Sequence, residues 1–259
     1  MKVEINGRKL HYEIFGQTGT PVVLIHGFGL DHSIWKEMVL KYLQNHRVIL
    51  PDVRGHGKSD APIGDYSMTE LAEDIYQLLR FLRIDYIVLC GHSMGGYISL
   101  AFAEQFPNHL SGLGLITTHA RCDTDEKAAA RYELAEAVQS KGSIELAESM
   151  TPLLTENEAV QAHVYDLIKK TPPEGIIGAA KGMAERPDRL SLLNDFDLPA
   201  LVVAGKADQI TPLEKAQEMA DALPRSELLI LSNTGHMPML ESAAELGRGI
   251  NQLIERAGN

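Results

Sequence analysis

The chain has 259 residues, 44% of them hydrophobic, which suits one large α/β domain with an insertion and a sizeable core. A formal net charge of −11 argues against nucleic acid as a partner, since that binding rests on Lys and Arg; the acidic surface serves solubility. No run approaches the roughly 18–20 apolar residues of a membrane span, the N-terminus has no apolar signal core, and Cys90 and Cys122 make no disulfide framework, so the expectation is a cytoplasmic protein.

Residues 2–6 and 9–16 read as two strands joined by a turn at Asn6-Gly7, a strong hairpin signal. Residues 21–25 are continuously apolar, the pattern of a strand buried on both faces. The pattern recurs at 46–50, 86–90, 113–116, 200–204 and 228–231, and helical stretches lie between these runs at 67–82, 94–105, 212–223 and 243–254. Buried strands alternating with helices predict a mostly parallel sheet covered on both faces, with the opening hairpin as an antiparallel edge. Between 117 and 199 there is no convincing strand, only amphipathic stretches at 126–140, 143–150, 156–170 and 174–183. A connection this long must fold, and the expectation is a helical insertion over one end of the sheet.

The strand at 86–90 runs into Gly91-His92-Ser93-Met94-Gly95-Gly96 and then a helix. This is G-x-S-x-G in the strand–turn–helix setting that gives it meaning, with Ser93 exposed on a sharp turn as a nucleophile. A serine hydroxyl needs a base. His236, in the loop after the last strand, sits at the carboxyl end of the sheet, where open α/β sheets place their sites. The orienting acid is expected between them in chain order, and Asp208 follows the strand at 200–204. Asp208 also fits a helix cap, but Thr211, directly before Pro212, is the better cap candidate. The N–H groups of Phe28, in His26-Gly27-Phe28-Gly29, and of Met94 are the expected oxyanion donors. Gly27, His92, His119 and Met237 are candidate pocket residues, and Phe28, Met94 and Met237 are expected to form an apolar rim. His119 and Arg121 follow the sixth strand and fit either the pocket or the surface. The loop from Asp52 to Asp60 matches no metal or phosphate pattern and reads as structural packing beside the site.

Together, His26-Gly27-Phe28-Gly29, Asp52-x-Arg54-Gly55-His56-Gly57-x-Ser59, Gly91-His92-Ser93-Met94-Gly95-Gly96, Gly205-x-x-Asp208 with Thr211-Pro212, and Gly235-His236 resemble the α/β-hydrolase-fold serine esterases over nearly the whole chain. The resemblance implies an eight-stranded sheet with strand two antiparallel, a helical cap after strand six and no cofactor; the residues themselves suggest no metal site. It implies Phe28 and Met94 as the oxyanion donors. The corresponding division is a core of residues 1–118 and 195–259 and a cap of 119–194. The insertion resembles that of enol-lactonase-like hydrolases and carries no evident Arg cluster, so the expected substrate is a small to medium uncharged ester or lactone. A cofactor-free haloperoxidase or perhydrolase, a carbon–carbon bond hydrolase and a ligand-binding signalling protein with a retained triad remain alternatives. A serine nucleophile disfavours the related dehalogenases and epoxide hydrolases, which use aspartate there.

Overall fold

A computed structural model of the chain describes residues 1–258. Its strands are β1 (Lys2–Ile5), β2 (Arg8–Phe15), β3 (Val22–Ile25), β4 (Val48–Pro51), β5 (Ile87–His92), β6 (Leu110–Ile116), β7 (Ala200–Gly205) and β8 (Ser226–Leu231). The helices are α1 (Ser33–Tyr42), α2 (Met68–Leu82), α3 (Met94–Gln105), α4 (Asp125–Lys141), α5 (Ile144–Leu154), α6 (Glu158–Lys170), α7 (Pro173–Ala184), α8 (Leu213–Ala222), α9 (Pro238–Glu241) and α10 (Ala243–Ala257). The eight strands form one sheet in the order β1-β2-β4-β3-β5-β6-β7-β8. β2 pairs antiparallel with β1 and β4, and the six strands from β4 to β8 run parallel. No helix among the described residues is long and apolar enough to cross a membrane.

The pattern of residue types explains these placements. β3, β4, β5 and β7 are buried at every position, as strands covered on both faces must be, and their residues are mostly Val, Ile, Leu or Ala. Two groups of helices provide the cover: α2 packs on α3 and α1 on α10, and both α3 and α10 meet β5 and β6. α2 starts with a capping box in which Ser67 and Glu70 satisfy each other's backbone N–H. In the opening hairpin Asn6 and Gly7 both have positive φ, as a two-residue turn of this twist requires.

Three sequence expectations need correction. β8 is half-buried or exposed at every position but Leu231 because it is the sheet edge, so 228–231 is not a strand buried on both faces. Tyr86 is 63% exposed and lies outside β5, and the strand expected at 46–50 starts at Val48. α1 was not expected at all. It is short and has no side-chain cap, but Ile34, Trp35, Met38 and Val39 make a helical stripe into the core.

Between β6 and β7 the chain forms α4–α7, with α4 against α7 and α5 against α6. These helices meet the rest of the fold through main-chain contacts. Gly178 O accepts from Tyr66 N–H at 3.0 Å, and Gly29 O accepts from the Thr171 hydroxyl at 2.8 Å.

An unusual share of the interior is histidine. His26, His56 and His92 are fully enclosed and His119 is nearly so. Burial pulls all four below the ordinary histidine range, His56 to about 3 and His119 to about 4, so they fold neutral. The unfolded chain takes up these protons once the pH falls below about 6.5, and each histidine then weakens the fold by about 1.4 kcal/mol per pH unit until its own folded value is reached. His32, which Asp52 raises against the effect of burial, gains its proton in the folded state before the unfolded chain does and opposes the trend. Asp74, which burial raises, opposes it as well. The melting temperature should therefore fall by at least about 10 °C between pH 7.5 and pH 5, well above the carboxylate range. A scanning-calorimetry series in which it stays flat over that interval would show that these side chains are not held neutral.

Candidate active site

The site is built at the carboxyl ends of the parallel strands, where each strand gives way to a turn. β5 delivers Ser93 into a turn with φ 52° and ψ −115°, a backbone that costs a serine about 1–3 kcal/mol. Its surroundings hold it there. Ser93 N–H donates to Ile116 O at 3.0 Å, extending the β5–β6 ladder, and Ser93 O accepts from Gly96 N–H and the Thr118 hydroxyl, each at 2.8 Å. The strand and helix close so tightly that a Cβ on Gly91 would lie 2.1 Å from Gly95 O, so glycine is required there. α3 begins at Met94, and its first N–H groups have no intrahelical partner and carry the positive end of the helix dipole.

His236 lies between β8 and α9, and its Nδ1 is 2.8 Å from Asp208 Oδ2. Both side chains are excluded from solvent. An ionised carboxylate only accepts, so Nδ1 carries the imidazole proton and the lone pair is left on Nε2. Nε2 is buried and has no hydrogen-bond partner. Asp208 is fixed by its other oxygen: Oδ1 accepts from the N–H groups of Ile210 at 2.8 Å and Thr211 at 3.0 Å. The expectation that Thr211 caps the following helix is therefore corrected. α8 starts at Leu213 with no side-chain cap, the Thr211 hydroxyl turns to Thr117 O, and Asp208 holds the turn and His236 at once.

Two adjacent residues tie the serine turn to the histidine loop. The His92 Nε2–H donates to His236 O at 2.8 Å, and the Thr117 hydroxyl donates to the same oxygen at 3.2 Å. Thr117, a β-branched residue at φ 41°, and Thr118 thus serve His236 and Ser93 respectively. Nothing in a Thr-Thr pair at a strand end signals this in sequence. The same holds for Glu241, whose carboxylate accepts from the N–H groups on either side of His236, those of Gly235 and Met237, each at 3.0 Å.

The remaining sequence candidates divide. Gly27 rests on the elbow, since a Cβ there would lie 2.6 Å from His92 Nδ1 and 3.3 Å from Ser93 Cβ. That places the Gly27-Phe28 turn beside Ser93. His92 is fully buried, with the edge of Trp35 against its ring, and it acts through the His236 carbonyl. Phe28, Met94 and Met237 are all buried, so the expected apolar rim is not at the surface. His119 is enclosed by Tyr97 and Arg186; burial, then the Arg186 charge, pushes it down to about 4. Arg121 lies at the surface, paired with Glu218 and Asp188. Arg131 and Arg186, 55 positions apart in sequence, converge on the buried Asp123, so two of the insertion's arginines do cluster, with one charge offset there.

The loop after β4 is built around Asp52. Its Oδ1 accepts from the N–H and Nδ1–H of His32 at 2.8 and 2.6 Å, and its Oδ2 accepts from Lys58 N–H and His11 Nδ1–H, each at 2.9 Å. Burial alone would raise this carboxyl, but the hydrogen bond from His32 and the His32 charge hold it well below the usual range. His11, His32 and Asp52 form a group of metal-ligand types. With both carboxylate oxygens taken by N–H donors, it is a hydrogen-bonded knot that joins β2, β4 and the start of α1.

Ser93 is 8% exposed and His236 is fully covered. Part of that cover comes from α5, whose last carbonyl, Leu154 O, accepts from His236 N–H at 2.8 Å.

Comparison with known proteins agrees with this geometry. The structure superposes on a thermophilic esterase from Thermogutta terrifontis with a TM-score of 0.95, 36% identity, and coverage of 100% of this chain and 99% of the other. By sequence it is 28% identical to 3-oxoadipate enol-lactonase 2 of Acinetobacter baylyi over 95% of this chain and 93% of that protein. It is 33% identical to the dihydrolipoyllysine-residue acetyltransferase component of the acetoin cleaving system of Pseudomonas putida, over 95% of this chain and 67% of that protein. Residues 20–243 match the sequence model of the alpha/beta hydrolase fold, and with the sheet order above this establishes that the chain belongs to the α/β-hydrolase fold family.

Proposed function

We propose that this hydrolase is a serine esterase that cleaves a small to medium uncharged carboxylic ester or lactone through an acyl-enzyme on Ser93. The observation that carries the reading is the tautomer of His236: Asp208 accepts the hydrogen bond from Nδ1–H at 2.8 Å, which leaves a buried lone pair on Nε2, and the strained turn of Ser93 is tied to the same loop through His92 and the His236 carbonyl. The similarity to an esterase and an enol-lactonase supports the same class of substrate.

In this mechanism His236 Nε2 accepts the hydroxyl proton as Ser93 Oγ attacks the carbonyl carbon, and the developing imidazolium is stabilised by Asp208. The tetrahedral oxyanion is held by the N–H groups of Phe28 and Met94, the second backed by the α3 dipole, at about 2.7–4 kcal/mol per donor. His236 then returns its proton to the leaving alkoxide, and a water activated by the same nitrogen releases the acid. Residues 119–194 act as a cap that keeps bulk water from the acyl-enzyme, in line with the low exposure of Ser93.

Ser93→Ala should lower ester turnover by at least about 10³-fold at an unchanged melting temperature. p-Nitrophenyl esters from acetate to decanoate are the assay, with rates expected to fall as the acyl chain lengthens; wild-type rates in the alanine variant would remove Ser93 from the nucleophile role.

Asp208→Asn is the sharper test of the tautomer. The amide oxygen can still accept from Ile210 and Thr211, which turns the NH2 group toward His236. The imidazole must then accept at Nδ1 and carry its proton on Nε2, where it cannot take one from serine. The expected loss is about 10⁴-fold in kcat. A loss below about tenfold would exclude Asp208 as the orienting acid.

A further inference from the structure

The loop that carries His236 is fastened to the helical insertion by its main chain. His236 N–H donates to Leu154 O, a carbonyl in the last turn of α5 that has no partner within its own helix. One residue on, the hydroxyl of the buried Thr155 donates to Glu241 Oε2 at 2.9 Å. That same oxygen accepts from Gly235 N–H, and the other carboxylate oxygen accepts from Met237 N–H. Thr155 is itself locked, its hydroxyl accepting from Asn157 N–H at 3.1 Å and its carbonyl from the Gln161 amide at 2.7 Å. The approach is close enough that a Cβ on Gly235 would lie 2.9 Å from Leu154 O. The N–H groups of residues 235, 236 and 237 are thus all taken either by the turn between α5 and α6 or by a carboxylate which that turn holds.

We infer that Glu241 is a positioning residue for His236, and that the Thr155–Glu241 hydrogen bond makes the setting of the base depend on the docked α5–α6 turn. The inference rests on the reading of His236 as general base. The imidazole is held at its Nδ1 edge by Asp208, but one side-chain bond leaves the ring free to swing about that contact. The loop bonds from Glu241 and Leu154 fix the Cα from which the ring projects. With the turn docked, Nε2 is set for Ser93. Without it, Glu241 loses the Thr155 hydroxyl that ties it to the insertion, and the flanking N–H groups lose a fixed acceptor. A serine–histidine contact is steep in distance, so a small drift of the loop lowers the rate of proton transfer with little effect on how a substrate fits.

The test is the rate at which a small fluorophosphonate ester labels Ser93 in the full chain, followed by intact mass. Ser93 Oγ bonds to phosphorus, fluoride leaves, and the serine proton passes to His236, so the reaction reads the base without requiring the natural substrate. Glu241→Gln and Thr155→Val should label at least about tenfold more slowly than wild type, with melting temperatures within a few degrees of it. Thr155→Ser, which keeps the hydroxyl, should restore the rate lost in Thr155→Val. The double variant Thr155→Val/Glu241→Gln should be no slower than the slower single variant, because the two residues act through one contact. Folded Thr155→Val and Glu241→Gln labelling at the wild-type rate would overturn the inference alone; if Glu241→Gln does not fold, Thr155→Val decides. A wild type whose Ser93 takes no label would overturn the base reading, and the inference with it.

Discussion

The site depends on how the His236 loop is held between separate parts of the chain. The imidazole is oriented by Asp208 after β7, its carbonyl accepts from His92 at the end of β5 and Thr117 after β6, and its N–H donates to α5. No one of these contacts is worth more than a few kcal/mol, since a net hydrogen bond contributes about 0.5–1.5 kcal/mol and one to a charged group about twice that. Their value lies in direction. Each comes from a different element, so the loop cannot shift without breaking several bonds in a buried place where no water replaces them.

The strained serine turn follows the same logic. A backbone at φ 52° is unfavourable for serine, and it persists because the β5–β6 ladder continues through Ser93 N–H while Thr118 and Gly96 fix its carbonyl. The parallel order β3-β5-β6-β7 brings four strand ends to one edge, so residues 27, 93, 117 and 208 come from different strands and share one site. Sheet and site are one construction: the register that buries Val88, Leu89 and Cys90 also sets where Ser93 turns.

Much of this was legible in the sequence because it depends on short patterns with a local cause. A glycine two positions either side of a serine reports the tight turn, continuous apolar runs report strands buried on both faces, and Asn6-Gly7 reports a hairpin. What was not legible depends on partners far apart in the chain. Glu241 looks like any acid on a short helix, Thr155 like any loop threonine, and their contact spans 86 positions. Asp208 was read as free of capping duty, yet its two oxygens divide that work, which only the turn geometry reveals. α1 was missed for a different reason. Its apolar stripe is plain in sequence, but ten residues with no cap signal sit too close to the glycine-rich loop to stand out.

In the proposed mechanism, burial is what makes such a modest set of groups effective. In water, the His236–Asp208 pair and a pair of N–H donors would each be worth little, because solvent competes for every lone pair and screens every charge. With both side chains of the pair excluded from solvent and Ser93 nearly covered, the same contacts lie in a medium of lower dielectric and, in that mechanism, would need no reorganisation as charge develops. The insertion supplies part of that exclusion, and it does so through one main-chain and one side-chain group: Leu154 O accepting from the histidine loop, and the Thr171 hydroxyl donating to Gly29 O beside the Gly27-Phe28 turn. The two turns that flank the serine are therefore both seated on the insertion. A change in the insertion that kept its apolar packing but moved either seat would be felt first at His236 or Phe28, before any effect on the sheet beneath.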